Sequence, residues 1–208
     1  MHAASRRTSA PDPAQAYLDV RRRTEQLCAP LETDDYQVQS VIDASPPKWH
    51  LAHVTWFLET FLLKPFLPGY RPLDARYERI FNSYYNAIGP FHPRAQRHTL
   101  SRPTVSEVYA YRGHVDDHLV KLIDRCAPAH RTRLAERLTL GMNHEQQHQE
   151  LLLMDIKHVL SLNPLDAPYR PRAGTSVDGQ PTPLTWAADE GGLVEIGHLG
   201  DGFAFDNE

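Results

Sequence analysis

The run His144-Glu145-Gln146-Gln147-His148 carries the densest chemistry in the chain. Histidines at i and i+4 of a helix share one face, about 6 Å apart, and can hold one metal ion together. With Glu145 between them the pattern has the zincin form, in which the glutamate serves as general base. The competing reading is a polar helix surface, because the chain has twelve histidines against four lysines. A pair needs a third ligand. Glu150, Asp155 and His158 follow on the same segment, but Asp155 lies about 10 Å and His158 about 15 Å past His148 at ~1.5 Å per residue. The third ligand is therefore expected from another helix, and Trp49-His50-Leu51-Ala52-His53 offers two. His50 and His53 are one turn apart on the most apolar segment, where an inward histidine is costly unless its nitrogens are satisfied. Either can reach inward. A three-histidine site with open positions suits catalytic zinc or non-haem iron equally. His114 and His118 form a second i, i+4 pair; flanked by Asp116 and Asp117, it reads as a solvated face.

These groups need helices to position them. Asp12-Pro13 is an N-cap followed by proline at the first helical position, opening a helix to about Cys28 that Pro30 ends. Ser45-Pro46-Pro47 opens a second through Phe61, which Pro65 is expected to stop by clashing with the preceding turn. A shorter third helix is expected over Asp74–Ile88, then an irregular, basic stretch from Phe91 to Pro103. Thr104 and Glu107 form a capping box before an apolar stripe of Val105, Val108, Val115, Leu119, Leu122 and Ile123. The last long helix spans roughly Arg131–Leu160, with Gly141 a candidate bend and Asn163-Pro164 the terminator. Four main helices with short connections predict an all-α four-helix bundle over residues 12–165. A Pro-rich linker, residues 166–186, and a short β-like tail, residues 187–208, follow, the tail carrying Gly-punctuated alternation around Leu193–Phe205.

Composition bounds the rest. The 208 residues are 41% hydrophobic and 23% charged, with a net charge of −4, which fits a globular chain and gives no basic footprint for nucleic acid. Cys28 and Cys126 match no zinc spacing and read as reduced structural thiols. The most apolar window, Trp56–Leu67, is broken by Glu59, Lys64 and Pro65, far short of the ~20 apolar residues of a spanning helix. No apolar stretch follows Arg6 and Arg7, so no secretory signal is read. The expectation is a cytoplasmic protein with no membrane or nucleic-acid partner.

Four segments, taken in order, resemble one family. Ser45-Pro-Pro-Lys-Trp-His-Leu-Ala-His-Val-Thr-Trp-Phe-Leu-Glu59, Phe81-Asn-Ser-Tyr-Tyr-Asn86, Leu100-Ser-Arg-Pro-Thr104 and His144-Glu-Gln-Gln-His-Gln-Glu150 are similar to the N-terminal DinB-like domain of the ergothioneine-biosynthesis sulfoxide synthases, the EgtB family. The likeness covers roughly residues 15–165, and Gly191–Glu208 looks like the start of that family's second domain, which is similar to formylglycine-generating enzymes. The resemblance implies a non-haem Fe(2+) enzyme that uses O₂ to join the sulfur of cysteine or γ-glutamylcysteine to hercynine as a sulfoxide. It places the iron ligands at His53, His144 and His148, selecting His53 over His50. It puts Gln147 near hercynine, and it removes the general-base role from Glu145.

On that resemblance a proton donor is wanted near the reacting oxygen, and Tyr85 or Tyr84 is the candidate, against the reading of ordinary helix tyrosines. Arg94, Arg97 and Arg102 are candidates to clamp the carboxylate of the thiol substrate, against a solvated basic loop; Arg94 and Arg97 are preferred. Because the family builds its site between two domains, the 208-residue chain is expected to hold iron but turn over slowly or not at all, and its tail, Leu193–Phe205, to be poorly ordered or packed loosely on the bundle. Two other readings compete. One is a stand-alone DinB-like thiol transferase or hydrolase using zinc or nickel in the same three-histidine site; the other is a metal-binding remnant without activity.

Overall fold

The computed structural model describes residues 12–83, 88–171, 182–200 and 202–205. The chain divides into two units at Arg170/Pro171. In the first, helix α1 spans Pro13–Cys28, capped by the Asp12 carboxylate, which accepts the Ala14 N–H at 3.3 Å. Its inner face repeats Ala14, Tyr17, Arg21, Thr24 and Leu27, a helical stripe that mixes apolar and polar side chains. Helix α2, Pro47–Leu58, is buried at every position. It is the central element, lying against α5 (Val105–Arg125) and α6 (Arg131–Ser161), while α1 packs on those same two helices. An all-α bundle results, as its four main helical segments predict.

Pro65 does not end the second helix. Helix α2 continues through a π turn, Glu59–Leu63, into a last turn, α3, Lys64–Phe66. The wider turn lets the Lys64 N–H reach Glu59 O, so the ladder absorbs the residue that proline would break. Proline cannot donate to the carbonyl four residues back, Phe61 O; Arg137 Nη1 from α6 donates to it instead, at 2.9 Å. The neighbouring helix supplies what the local sequence removes.

The third predicted helix is also corrected. Helix α4 spans only Tyr77–Phe81, and Asn82 is already extended at φ −64°, ψ 144°. The last carbonyls of α4 are taken by side chains of α2: Trp49 Nε1 donates to Ile80 O at 3.2 Å, and His53 Nδ1 lies 2.6 Å from Phe81 O. The stretch read as irregular contains a 3₁₀ helix, Arg94–Thr99, and another such turn, Thr33–Gln37, follows α1.

At the start of α5 the Thr104 hydroxyl accepts the Glu107 N–H at 3.2 Å while the Glu107 carboxylate accepts the Thr104 N–H at 2.6 Å. Helix α6 runs through Gly141 as one element. The glycine marks a close approach rather than a bend: a Cβ there would stand 2.8 Å from Leu58 Cδ2 of α2. That contact brings the two helices together one turn before His144. Cys28 and Cys126 are buried free thiols.

In the second unit no described residue forms a strand. The expected β pieces form no ladder and are interrupted by glycines with positive φ, as at Gly191 (70°) and Gly197 (118°), and Trp186, Leu193 and Ile196 are exposed. Two short strands without a sheet have too little apolar area to hold together. Among the described residues no helix is long and apolar enough to cross a membrane.

Candidate metal centre

Helix α2 supplies His53 and α6 supplies His144 and His148, and one ring nitrogen of each lies within 4.8 Å of the others. The i, i+4 spacing sets the α6 pair side by side, with ring centroids 4.6 Å apart. Aromatic neighbours fix the rings: His53 stacks on Trp49 with centroids 4.5 Å apart, and His144 stacks on Phe57 at 4.2 Å. His53 is held by its Nδ1 contact with Phe81 O, which leaves Nε2 for the site. His148 Nδ1 is 2.9 Å from His50 Nδ1, which again leaves Nε2. The His144 Nδ1 is buried with no hydrogen-bond partner.

Electrostatics favour neutral rings. Burial pushes His53 and His148 well below the usual imidazole range, with the charges of the neighbouring histidines adding to the effect. Burial brings His144 down to about 4, against the opposing charge of Glu145. At neutral pH all three offer lone pairs, the state a metal requires. Three convergent neutral imidazoles in a cavity of about 280 Å³ fit a divalent transition metal with open positions.

His50 also points inward. It bridges His148 to Asp155, its Nε2 lying 3.0 Å from Asp155 Oδ2. Asp155 thus touches the site through one intermediary. It lies seven residues, two turns, past His148, a spacing on one helix face that could have revealed it.

Glu145 faces elsewhere. It sits in the interior with Arg21 Nη1 at 2.8 Å, Thr24 Oγ1 at 2.6 Å and Arg112 Nη2 at 3.2 Å. Burial raises its carboxyl pKa, but the two arginines and Thr24 outweigh that and hold it at about 2. An acceptor so saturated cannot serve as the general base of a zincin.

The same cavity is lined by Gln147, Arg94 and Arg97. Gln147 is exposed and Arg94 half-buried. Arg97 is not part of a solvated loop. It is 2% exposed, donates from Nη1 to Ser45 Oγ at 2.7 Å and lies 3.3 Å over the Trp49 ring. Arg102 is exposed and lines a different depression with Asp74 and Glu107. Tyr84 and Tyr85 lie outside the described residues. The pair His114 and His118 is half-buried rather than fully solvated: Tyr70 packs on both rings, and His118 Nδ1 is 2.7 Å from His114 O.

No curated protein matches the sequence. The family described as the DinB superfamily matches residues 16–152, a span that begins in α1 and includes all three clustered histidines. That match covers well over half of the 208 residues, and the chain belongs to the DinB superfamily.

Proposed function

We propose that the chain is a non-haem iron(II), O₂-dependent sulfoxide synthase domain that joins a cysteine or γ-glutamylcysteine sulfur to hercynine. The observation that supports it most is the convergence of His53, His144 and His148 in a cavity also lined by Arg94, Arg97 and Gln147. Bound iron would supply open positions for activating dioxygen and the thiol. The balance is thiol plus imidazole C–H plus O₂ giving sulfoxide and water: one S–H and one C–H bond break, one C–S and one S–O bond form, and O₂ takes four electrons.

On this reading the chain's residues bind and orient. Arg94 Nε is buried without a hydrogen-bond partner, and Arg97 lines the same cavity. Such a wall suits the carboxylate of an amino-acid thiol. Gln147, one residue before His148, would hydrogen-bond a second ligand beside the metal. Tyr84 or Tyr85 would hold a proton for the reacting oxygen. Residues 12–165 are the metal-binding domain in this proposal, 166–186 a linker and 187–208 the opening of a second domain.

The test is anaerobic iron loading, then hercynine, thiol and air, with single-turnover mass spectrometry and O₂ uptake measured together. A product of sulfoxide mass with one O₂ consumed supports the reading. A thiol conjugate or hydrolysis product formed without O₂ uptake replaces it with a DinB-like transferase or hydrolase.

A further inference from the structure

The His50 ring lies between a candidate ligand and a carboxylate. Its Nε2 is 3.0 Å from Asp155 Oδ2 and its Nδ1 is 2.9 Å from His148 Nδ1. A carboxylate oxygen only accepts, so His50 donates from Nε2. A neutral His50 then has a lone pair at Nδ1, so the proton in the second contact belongs to His148. His148 is thereby protonated on Nδ1, and its lone pair resides on Nε2. The direction of the whole chain, His148 to His50 to Asp155, follows from its carboxylate end.

We propose that His50 and Asp155 are positioning residues of the metal site, holding His148 in the Nδ1–H tautomer with Nε2 turned toward the ion. The inference rests on the metal-binding reading above. Ligand histidines gain orientation and basicity when their other nitrogen donates to an anchored acceptor. Here the acceptor is a second imidazole, and its anchor is well fixed. His50 is 3% exposed, and Asp155 Oδ2 also accepts the Ser45 backbone N–H at 2.8 Å, just before α2 begins. Ser45 Oγ in turn accepts from Arg97, so one anchor serves both the ligand and a cationic wall of the cavity. The three candidate ligands differ in this respect. His53 leans on a backbone carbonyl, His148 on a two-residue chain, and His144 Nδ1 on no hydrogen bond at all.

Two substitutions of His50 separate positioning from packing. In His50→Asn the amide oxygen can stand near the place of Nδ1 and accept from His148. In His50→Gln the amide reaches toward the Nε2 position and keeps only the Asp155 side. The full chain is titrated anaerobically with Fe(II), and with Co(II) alone, after far-UV circular dichroism shows wild-type helicity. The expected result is a rise in Kd of about 10–100-fold for His50→Gln and a clearly smaller rise for His50→Asn. Equal losses in the two, or no loss in either, would overturn the proposal. A second measurement needs no variant: ¹⁵N-histidine spectra of the metal-free wild type at neutral pH should show His148 protonated on Nδ1, and a proton on Nε2 would overturn it. Failure of the wild type to take up either metal would instead refute the metal-site reading, while the tautomer remains separately measurable.

Discussion

A single turn of α6 feeds two buried polar clusters of contrasting construction. On one side His144 and His148 join His53 as three neutral rings with ligating atoms within 4.8 Å and little else to bond. On the other, Glu145 joins Arg21, Arg112 and Asp116 in a closed set of charges: Arg21 reaches Asp116 and Glu145 at 2.8 Å each, and Tyr17 adds a hydroxyl bond to Asp116. The charged cluster ties α1, α5 and α6 together, its charges paired with one another. The imidazole cluster keeps nitrogens in reserve. Residues one position apart thus separate into an element that holds the bundle and one equipped to bind something, and unsatisfied capacity in the interior distinguishes the second.

The comparison breaks most visibly if the metal goes to the wrong cluster. His144→Ala combined with His148→Ala should abolish stoichiometric metal binding, read by metal analysis after anaerobic loading; full retention would remove the ligand assignment. Glu145→Ala should do the reverse. It removes the carboxylate that Arg21 and Arg112 share, leaving Arg21 only Asp116 and Arg112 only the more distant Glu25 as charged partners, and should lower unfolding stability by about 3–5 kcal/mol in denaturant titrations, while any protein that remains folded still binds metal.

Acid should separate the clusters by pH. The His144 pKa falls on folding from the ordinary 6.5 to about 4, so the unfolded chain binds more protons between those values. Stability should therefore fall as pH drops from 6.5 toward 4, by up to about 3 kcal/mol for this group. Glu145, held at about 2 against an ordinary 4.5, contributes stability that is present above 4.5 and lost as pH falls toward 2. Unfolding free energies measured across pH 7 to 3 should show the first loss beginning near pH 6.5 in the wild type. In His144→Ala that early loss should shrink while the acidic loss stays.

The smallest effect is at the helix crossing between them. Gly141→Ala adds a methyl 2.8 Å from Leu58 Cδ2. Overpacking of about 1–3 kcal/mol is partly offset by about 1 kcal/mol of helix propensity, so a net loss below about 2 kcal/mol is expected from thermal unfolding. An increase in stability would mean that Leu58 moves aside freely and that the crossing is not tight.

Local chemistry was legible in the chain before any tertiary contact. Asp12-Pro13 and the Thr104/Glu107 box act through neighbours within four residues, so α1 and α5 begin where those residues say. The His144/His148 face follows from the helical repeat alone. Elements decided by distant partners depart from the local signals. Pro65 is bridged because Arg137, 76 residues beyond Phe61 along the chain, reaches the Phe61 carbonyl. Helix α4 stops early because Trp49 and His53 take its last carbonyls. Gly141 resembles a bend until Leu58 occupies the space its missing side chain leaves.

At the candidate metal centre the division is similar. The residue types and the i, i+4 pair were fixed by sequence, and by spacing alone His50 and His53 were equally plausible third ligands. Tertiary structure gave them different tasks, placing His53 against the α6 pair and His50 between His148 and Asp155. It also turned Glu145 toward Arg21 and Arg112. A side chain's identity states which bonds it can make, whereas which of those bonds are already satisfied depends on partners from other helices, and that is known only once the helices have packed.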